Sequence, residues 1–254
     1  MEPGGEQVPR GRAVGLRGGY REYNRRVSDA PLPKPVDIAR VLDNARFGTL
    51  RWLNEEPAEW DTVYTAATRL LSLLEERDVD YVVAGGLAVL QYVDGRNTQD
   101  IDLILSSEDL ERLPELERFE EGPDFVRARF DGVVVDALLT CNDLFALVRE
   151  RFTTVRRFAH GDARCATPEG LLLMKLYALP SLYRQGQFER VTIYEGDVAN
   201  LLQRSGIDPE PLLRLLEPYV LPSDLAQIRV ITAEIQGRIS RFEAGRPDTE
   251  PGKA

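Results

Sequence analysis

Residues 81–105 read YVVAGGLAVLQYVDGRNTQDIDLIL and predict two strands joined by a glycine turn and a short helix. The first strand lies in the run DYVVAGG and ends in the pair Gly85-Gly86, and the second is DIDLIL at 100–105. Between them, the run from Leu87 to Tyr92 predicts one or two helical turns that end near Gly95.

Two acidic residues of the second strand are expected to act together. Asp100 and Asp102 are two positions apart, so in a strand their carboxylates leave the same face, while Ile101 and Leu103 turn into the core. The segment therefore predicts a pair of carboxylates beside a glycine turn.

The rest of the chain predicts strands and helices first, and helices alone after Thr167. The helical spacing of apolar residues and the positions of turn residues define these elements. They are a helix at 60–74, a helix at 108–113, strands at 126–130 and 133–139 joined by Asp131-Gly132, a helix at 143–151 and a small hairpin around His160-Gly161. Thr167 is the expected cap of a buried helix that begins at Pro168, and Ser223 is the expected cap of the last helix. The fold class is therefore α/β (α+β) with a helical C-terminal domain.

Composition divides the chain into four parts. Glycine, proline and arginine dominate residues 1–36, which hold seven basic and four acidic residues and are predicted to be a disordered basic tail. A mixed core at 37–166, with a short helix expected within 35–52, a helical domain at 167–243 and a second disordered tail at 244–254 complete the predicted organisation.

The balance of residue types excludes several classes of protein. With 43% hydrophobic and 29% charged residues among 254, the chain is neither a disordered polymer nor a membrane protein, and we expect it in the cytoplasm. Its net charge of −10 argues against non-specific adhesion to DNA. Cys141 and Cys165 have no partner at zinc-ligand spacing and are interpreted as reduced thiols that pack. The single histidine, His160, is not expected to be catalytic.

A third acid, Asp136, interrupts the apolar run VVVDALL. A buried, unpaired carboxylate is costly, so we expect a cationic group beside it. Clustered carboxylate oxygens suit Mg²⁺, and two such ions about 4 Å apart could orient an attacking hydroxyl and a triphosphate. Gly85 and Gly86, which have no Cβ, would let backbone N–H groups approach a phosphate.

Taken whole, the run GGLAVLQYVDGRNTQDIDLIL resembles the signature of the nucleotidyltransferase superfamily with the DNA polymerase β fold. Gly85, Gly86, Asp100, Asp102 and Asp136 match that signature residue by residue. The resemblance implies a polymerase β-like core with a mixed sheet, two Mg²⁺ ions held by the three acids, and an NTP as co-substrate.

The later segment ATPEGLLLMKLYALPSLYRQGQFERVTIYEGDVANLL resembles the helical half of the AbiEii and MenT toxin nucleotidyltransferases. Lys175 and Asp197 stand at the matching positions, which implies Lys175 on the triphosphate and Asp197 beside it in the catalytic site. The resemblance also implies transfer to a tRNA 3′ end or a protein side chain, in a toxin–antitoxin or phage-defence system with a cognate antitoxin. An RNA acceptor would require a basic surface, for which Arg184, Arg190 and Lys175 are candidates.

Two alternatives stay open. Gly-Gly-x-Ala followed by Gly95-Arg96-Asn97-Thr98 is also similar to aminoglycoside and lincosamide nucleotidyltransferases, which implies a small-molecule acceptor and makes Arg96 and Thr98 candidate nucleotide-binding residues. The other alternative is a nucleotide-binding or partner-binding module without turnover, against which the intact set of three acids argues.

Overall fold

The computed structural model describes residues 58–94, 96, 98–158 and 161–244. The predicted tail at 1–36, the helix expected within 35–52, His160 and all but the first residue of the tail at 244–254 lie outside this part. The division between a core at 37–166 and a domain at 167–243 stays a prediction.

Seven strands form one mixed sheet in the order β3-β4-β5-β2-β1-β7-β6. The strands are β1 Tyr81–Ala84, β2 Asp100–Leu105, β3 Glu117–Glu121, β4 Phe125–Phe130, β5 Val133–Leu139, β6 Thr153–Phe158 and β7 Gly161–Ala166. The pairs β2–β5 and β1–β7 are parallel and the other pairs are antiparallel. The α/β class, the mixed sheet and the helical C-terminal region are confirmed.

Helices precede or follow most of the strands in sequence, and the described part of the chain after β7 is helical. They are α1 Ala58–Glu76, α2 Gly85–Val89, α3 Ser107–Glu111, α4 Asp143–Arg151, α5 Pro168–Arg184, α6 Phe188–Ser205, α7 Pro209–Leu216 and α8 Pro222–Ala244, with a 3₁₀ turn at Glu217–Tyr219. None of the helices in the described part combines the length and apolar character needed to span a bilayer.

The hairpin of β4 and β5 fixes the register of the outer sheet. Asp131 and Gly132 both have positive φ, 50° and 82°, as a two-residue type I′ turn requires. This turn pairs Phe130 with Val133 and, three pairs further along, Arg127 with Asp136. The DG signal in the sequence therefore determines which side chain faces Asp136.

Four expectations need correction. Strand β3 was not predicted, because its residues, ERFEE, are mostly exposed at the sheet edge and show no apolar alternation. The helix after β1 begins at Gly85 rather than Leu87 and is short. Ser223 does not cap α8: the helix begins at Pro222, and the Leu225 N–H already donates to the Leu221 carbonyl. Cys141 is exposed rather than packed, whereas Cys165 is buried, and both are free thiols.

Thr167 is the N-cap of α5, the helix that carries Lys175, and its contribution to stability can be tested. The Thr167 hydroxyl accepts a hydrogen bond from the Gly170 N–H at 3.3 Å, and Pro168 occupies the first turn, as predicted. We expect Thr167→Ala to lower the free energy of unfolding in urea by about 1 kcal/mol, since one helix N–H loses its acceptor. Thr167→Ser, which keeps the hydroxyl, should stay near the wild type, and equal losses in both variants would contradict the capping role.

Candidate active site

The three acids lie on two neighbouring strands near the glycine turn. Asp102 on β2 is the register partner of Asp136 on β5, and Asp100 lies two residues before Asp102 on the same face. Between them Ile101 is fully buried on the opposite face, which anchors the strand in the core. The parallel β2–β5 pairing thus brings together residues that are more than 30 positions apart in the sequence.

The glycine turn packs directly against these carboxylates. Gly85 has φ +53°, and a Cβ built there would lie 1.6 Å from Asp102 Oδ2, so no other residue fits without displacing Asp102. The Gly86 N–H donates to Asp102 Oδ2 at 3.3 Å. A Cβ at Gly86 would lie 2.1 Å from Thr98 Oγ1, and this hydroxyl in turn donates to Asp100 Oδ1 at 3.0 Å. Both glycines are therefore required sterically, whereas their contact with a phosphate stays a prediction.

The surroundings of Asp102 shift the pKa of its carboxyl group. Burial, followed by the nearby charges of Asp100 and Asp136, raises the pKa of Asp102 to about 7, although Lys175 and the Gly86 N–H act in the opposite direction. Two like charges beside a half-buried carboxylate are most readily compensated by a cation.

Asp136 already has such a cation, as the sequence led us to expect. Arg127 on β4 donates through Nε to Asp136 Oδ1 at 2.7 Å and through Nη2 to Oδ2 at 3.0 Å, a bidentate pair. Sequence analysis did not name Arg127. The signal was present, however, because a two-residue turn at Asp131-Gly132 places residue 127 opposite residue 136.

A second charged group comes from the helices and the loop before β2. Lys175 Nζ on α5 lies 2.7 Å from Asp197 Oδ2 on α6, and both side chains are almost fully buried. Arg96 Nε donates to the same carboxylate, at 3.0 Å to Oδ1 and 3.2 Å to Oδ2. One carboxylate therefore contacts two cations, and both cations line the first cleft together with Asp100 and Asp102.

The aromatic ring of Tyr194 completes this group and was also missed by sequence analysis. Lys175 Nζ lies 4.2 Å from the ring centroid, within the range of a cation–π contact. Tyr194 and Asp197 lie three residues apart on α6, so both face α5. No motif signals this ring, because its partner belongs to another helix.

Two clefts open beside the acids and share one wall. The first has a volume of about 590 Å³ and the second about 920 Å³. The side chains and glycine common to both are Gly85, Asp102, Lys175, Arg190 and Tyr194. The first cleft also contains Arg96, Thr98, Asp100 and Asp197, and the second contains Asp136, Arg127, Arg184 and Asp224.

The predicted site residues thus line the two clefts that share a wall, although the roles of these residues stay predictions. Asp100, Asp102, Gly85, Gly86, Arg96, Thr98, Lys175 and Asp197 line the first cleft, and Asp136 lines the second. Arg184 is exposed and paired with Asp224 at 2.6 Å, whereas Arg190 lies at the mouth of both clefts.

The carboxylate oxygens of Asp100, Asp102 and Asp136 are the candidate ligands for Mg²⁺. Within the described residues, no group of three or more His, Cys, Asp and Glu side chains forms a ready metal cluster. In the same part of the chain Asp100 and Asp102 take part in no ion pair, and each uses one oxygen for the bonds to Thr98 and Gly86. Asp136 keeps further lone pairs on the oxygens that Arg127 contacts. The chemistry of these oxygens fits a hard cation, most directly at Asp100 and Asp102.

Comparison with known proteins places the fold. No protein-family model and no curated protein matches the sequence. Among solved structures, an antigenic nucleotidyltransferase-like protein from Paracoccidioides brasiliensis is similar, with a TM-score of 0.51 and 15% identity over 71% of this chain and 91% of that chain. The antibiotic-resistance factor ANT(2″)-Ia, solved with adenylyl-2″-tobramycin, gives a TM-score of 0.46 and 15% identity over 70% of this chain and 98% of that chain. The chain therefore has a nucleotidyltransferase-like fold.

The raised pKa of Asp102 predicts how stability depends on pH in metal-free protein. In the unfolded chain this carboxyl loses its proton near pH 4, but in the folded protein it does so only near pH 7. The folded state binds more protons between these values, so the contribution of Asp102 to stability falls as pH rises from about 4 to about 7.

We therefore expect Asp102→Asn to be more stable than the wild type by about 1 to 4 kcal/mol at pH 8, with the difference vanishing near pH 4. Urea unfolding at a series of pH values with a chelator present measures this effect. Glu150→Gln, which changes an exposed acid on α4, serves as the control. A difference that is independent of pH would show that Asp102 is not held at a raised pKa.

Proposed function

We propose that the protein is a Mg²⁺-dependent nucleotidyltransferase that moves a nucleoside monophosphate from an NTP to an acceptor hydroxyl. The observation that carries this proposal is the placement of Asp102 opposite Asp136, with Asp100 beside them, at the junction of two clefts. Two cations, Lys175 and Arg96, also line the first cleft. Acids at one side and cations at the other suit a triphosphate whose α-phosphorus is attacked beside the acids.

The reaction forms a bond between the acceptor oxygen and the α-phosphorus. It breaks the bond from that phosphorus to the oxygen that bridges to the β-phosphorus, and pyrophosphate leaves with the electron pair. In this proposal the acceptor hydroxyl passes its proton to the carboxylate of Asp136, which lines the second cleft.

Each residue has a part in this proposal. Mg²⁺ held by Asp100, Asp102 and Asp136 would neutralise phosphate charge and ease loss of the hydroxyl proton. Lys175 and Arg96 bind the triphosphate, and Asp197 holds both cations in place. Gly85 and Gly86 allow close approach to the acids, while Thr98 fixes the carboxylate of Asp100.

The two clefts suggest a division between nucleotide and acceptor. The first cleft holds the cations of the Lys175 group and is assigned to the NTP, and the second borders Asp136 and is assigned to the acceptor. The sequence resemblance to AbiEii and MenT toxins suggests a tRNA 3′ end or a protein side chain as acceptor, an antitoxin as partner, and a cytoplasmic site of action.

The charges of the second cleft favour a second candidate, a small-molecule acceptor. Arg127 is paired with Asp136 and Glu120, and Arg184 with Asp224, so the basic side chains here are largely neutralised. Arg190 is the one cation lining either cleft that forms no ion pair within the described residues. A cleft of about 920 Å³ with little free positive charge suits a compact polar molecule better than a polyanion.

Incubation of the protein with each α-labelled NTP and Mg²⁺ tests the proposed reaction and its acceptor. Total tRNA, a protein extract and a panel of aminoglycosides and lincosamides are offered separately. Label in one fraction identifies the acceptor class, and label in tRNA should fall steeply as salt rises. If no fraction takes up label while the protein still binds NTP, the chain is a binding module and the proposed function is wrong.

Substitution of the acids tests the chemistry itself. We expect Asp100→Ala and Asp102→Ala each to reduce transfer by at least about 10³-fold while the protein stays folded, since each removes a ligand together with a repelling charge. Asp162→Ala, at an exposed position of β7 that lines neither cleft, is the matched control for transfer rate. Asp136→Asn should lower kcat more than it raises the KM for NTP. Wild-type rates in either alanine variant would exclude the metal-assisted mechanism.

A further inference from the structure

The inner face of α6 presents three polar side chains on successive turns. Arg190, Tyr194 and Asp197 follow one another at helical spacing, and all three line the first cleft. Arg190 and Tyr194 also line the second cleft, whereas Asp197 does not. Tyr194 therefore stands between the two clefts, next to the Lys175 ammonium group.

The Lys175 ammonium group needs more than its ion pair. Its side chain is only 5% exposed, and Asp197, with which it forms an ion pair, also accepts hydrogen bonds from Arg96. Burial lowers the pKa of Lys175, and Arg96 acts in the same direction, while Asp197 and Asp102 act against it. A charged group this deeply buried is costly, so each further contact beside the ion pair with Asp197 stabilises it.

The ring of Tyr194 supplies the missing contact. The ammonium nitrogen lies 4.2 Å from the ring centroid, and a cation–π contact is stronger when the cation is desolvated, as the nearly buried Lys175 is. Asp197 holds the ammonium group through one hydrogen bond, so the ring limits the directions in which the remaining two N–H bonds can turn.

We propose that Tyr194 is a positioning residue that holds the Lys175 ammonium group, through its ring face, at the boundary between the two clefts. Together with Asp197, which lines only the first cleft, the ring keeps the ammonium group towards the cleft assigned to the triphosphate. This inference rests on the proposed function, because it gives Lys175 a triphosphate to bind.

Nucleotide binding measured without turnover tests the role of Tyr194. The probe is whichever α,β-methylene NTP analogue the wild-type protein binds most tightly in the presence of Mg²⁺. We expect Tyr194→Leu to raise the Kd of this analogue about tenfold, because the desolvated cation–π contact is lost. Tyr194→Phe keeps the ring face and should stay within about threefold of the wild type. Tyr64→Leu, on α1 and outside both clefts, is the control for loss of a tyrosine.

A double-mutant cycle separates positioning from a structural effect. In the Lys175→Met background, Tyr194→Leu should change the Kd by less than about twofold, because the ring then has no ammonium group to hold. Thermal unfolding checks each variant, and Tyr194→Met, which fills a similar volume without a π face, replaces Tyr194→Leu if the latter does not fold.

The outcomes distinguish this inference from the proposed function. If the wild-type protein binds no analogue, the proposed function fails and the role of Tyr194 fails with it. If the wild type binds and Tyr194→Leu binds equally well, or loses the same factor in the Lys175→Met background, only the role of Tyr194 is overturned. A Tyr194→Phe variant as weak as Tyr194→Leu overturns it as well, since the hydroxyl and not the ring face would then matter.

Discussion

The parallel pairing of β2 with β5 sets Asp102 beside Asp136, and the surrounding site is arranged around these two like charges. Both strands are anchored by fully buried residues on their opposite faces, such as Ile101 and Val135, so the carboxylates cannot move apart without disrupting the core. Burial, followed by the charges of Asp100 and Asp136, raises the pKa of Asp102 to about 7. A sheet that holds acids together in this way favours the binding of cations at one edge of the cleft.

Side chains of the protein itself supply some of the cations that these acids attract. Arg127 neutralises Asp136 from the neighbouring strand, and Lys175 approaches from the helical region. Lys175 and Arg96, which share the carboxylate of Asp197, line the first cleft together with Asp100 and Asp102. A triphosphate with bound Mg²⁺ carries both signs of charge, and it would satisfy the acids and the cations at the same time.

The helical region therefore contributes chemistry as well as packing. Helix α5 is apolar nearly all round, with Leu171, Leu172 and Leu173 fully buried, and Lys175 is the one charged side chain among its buried residues. Helix α6 supplies the carboxylate of Asp197 and the ring of Tyr194, and both stabilise the buried ammonium group of Lys175. Lys175 of α5 and Tyr194 of α6 line both clefts. The contact that stabilises the buried lysine therefore also lies at the boundary between the two clefts.

The sequence by itself determined the order of most strands and helices and the pair of acids on β2, because these follow from local periodicity and turn chemistry. The sequence also marked Gly85 and Gly86, although the lack of room for a Cβ beside Asp102 and Thr98 is seen only in the structure. It even contained the Arg127–Asp136 partnership, since a two-residue turn fixes the register of a hairpin. The edge strand β3 escaped prediction because an exposed strand has no apolar pattern to reveal it. Only the tertiary structure decided that Lys175, Asp197, Arg96 and Tyr194 meet, since their contacts join two helices and a loop that are distant in sequence, and local patterns do not encode such distances.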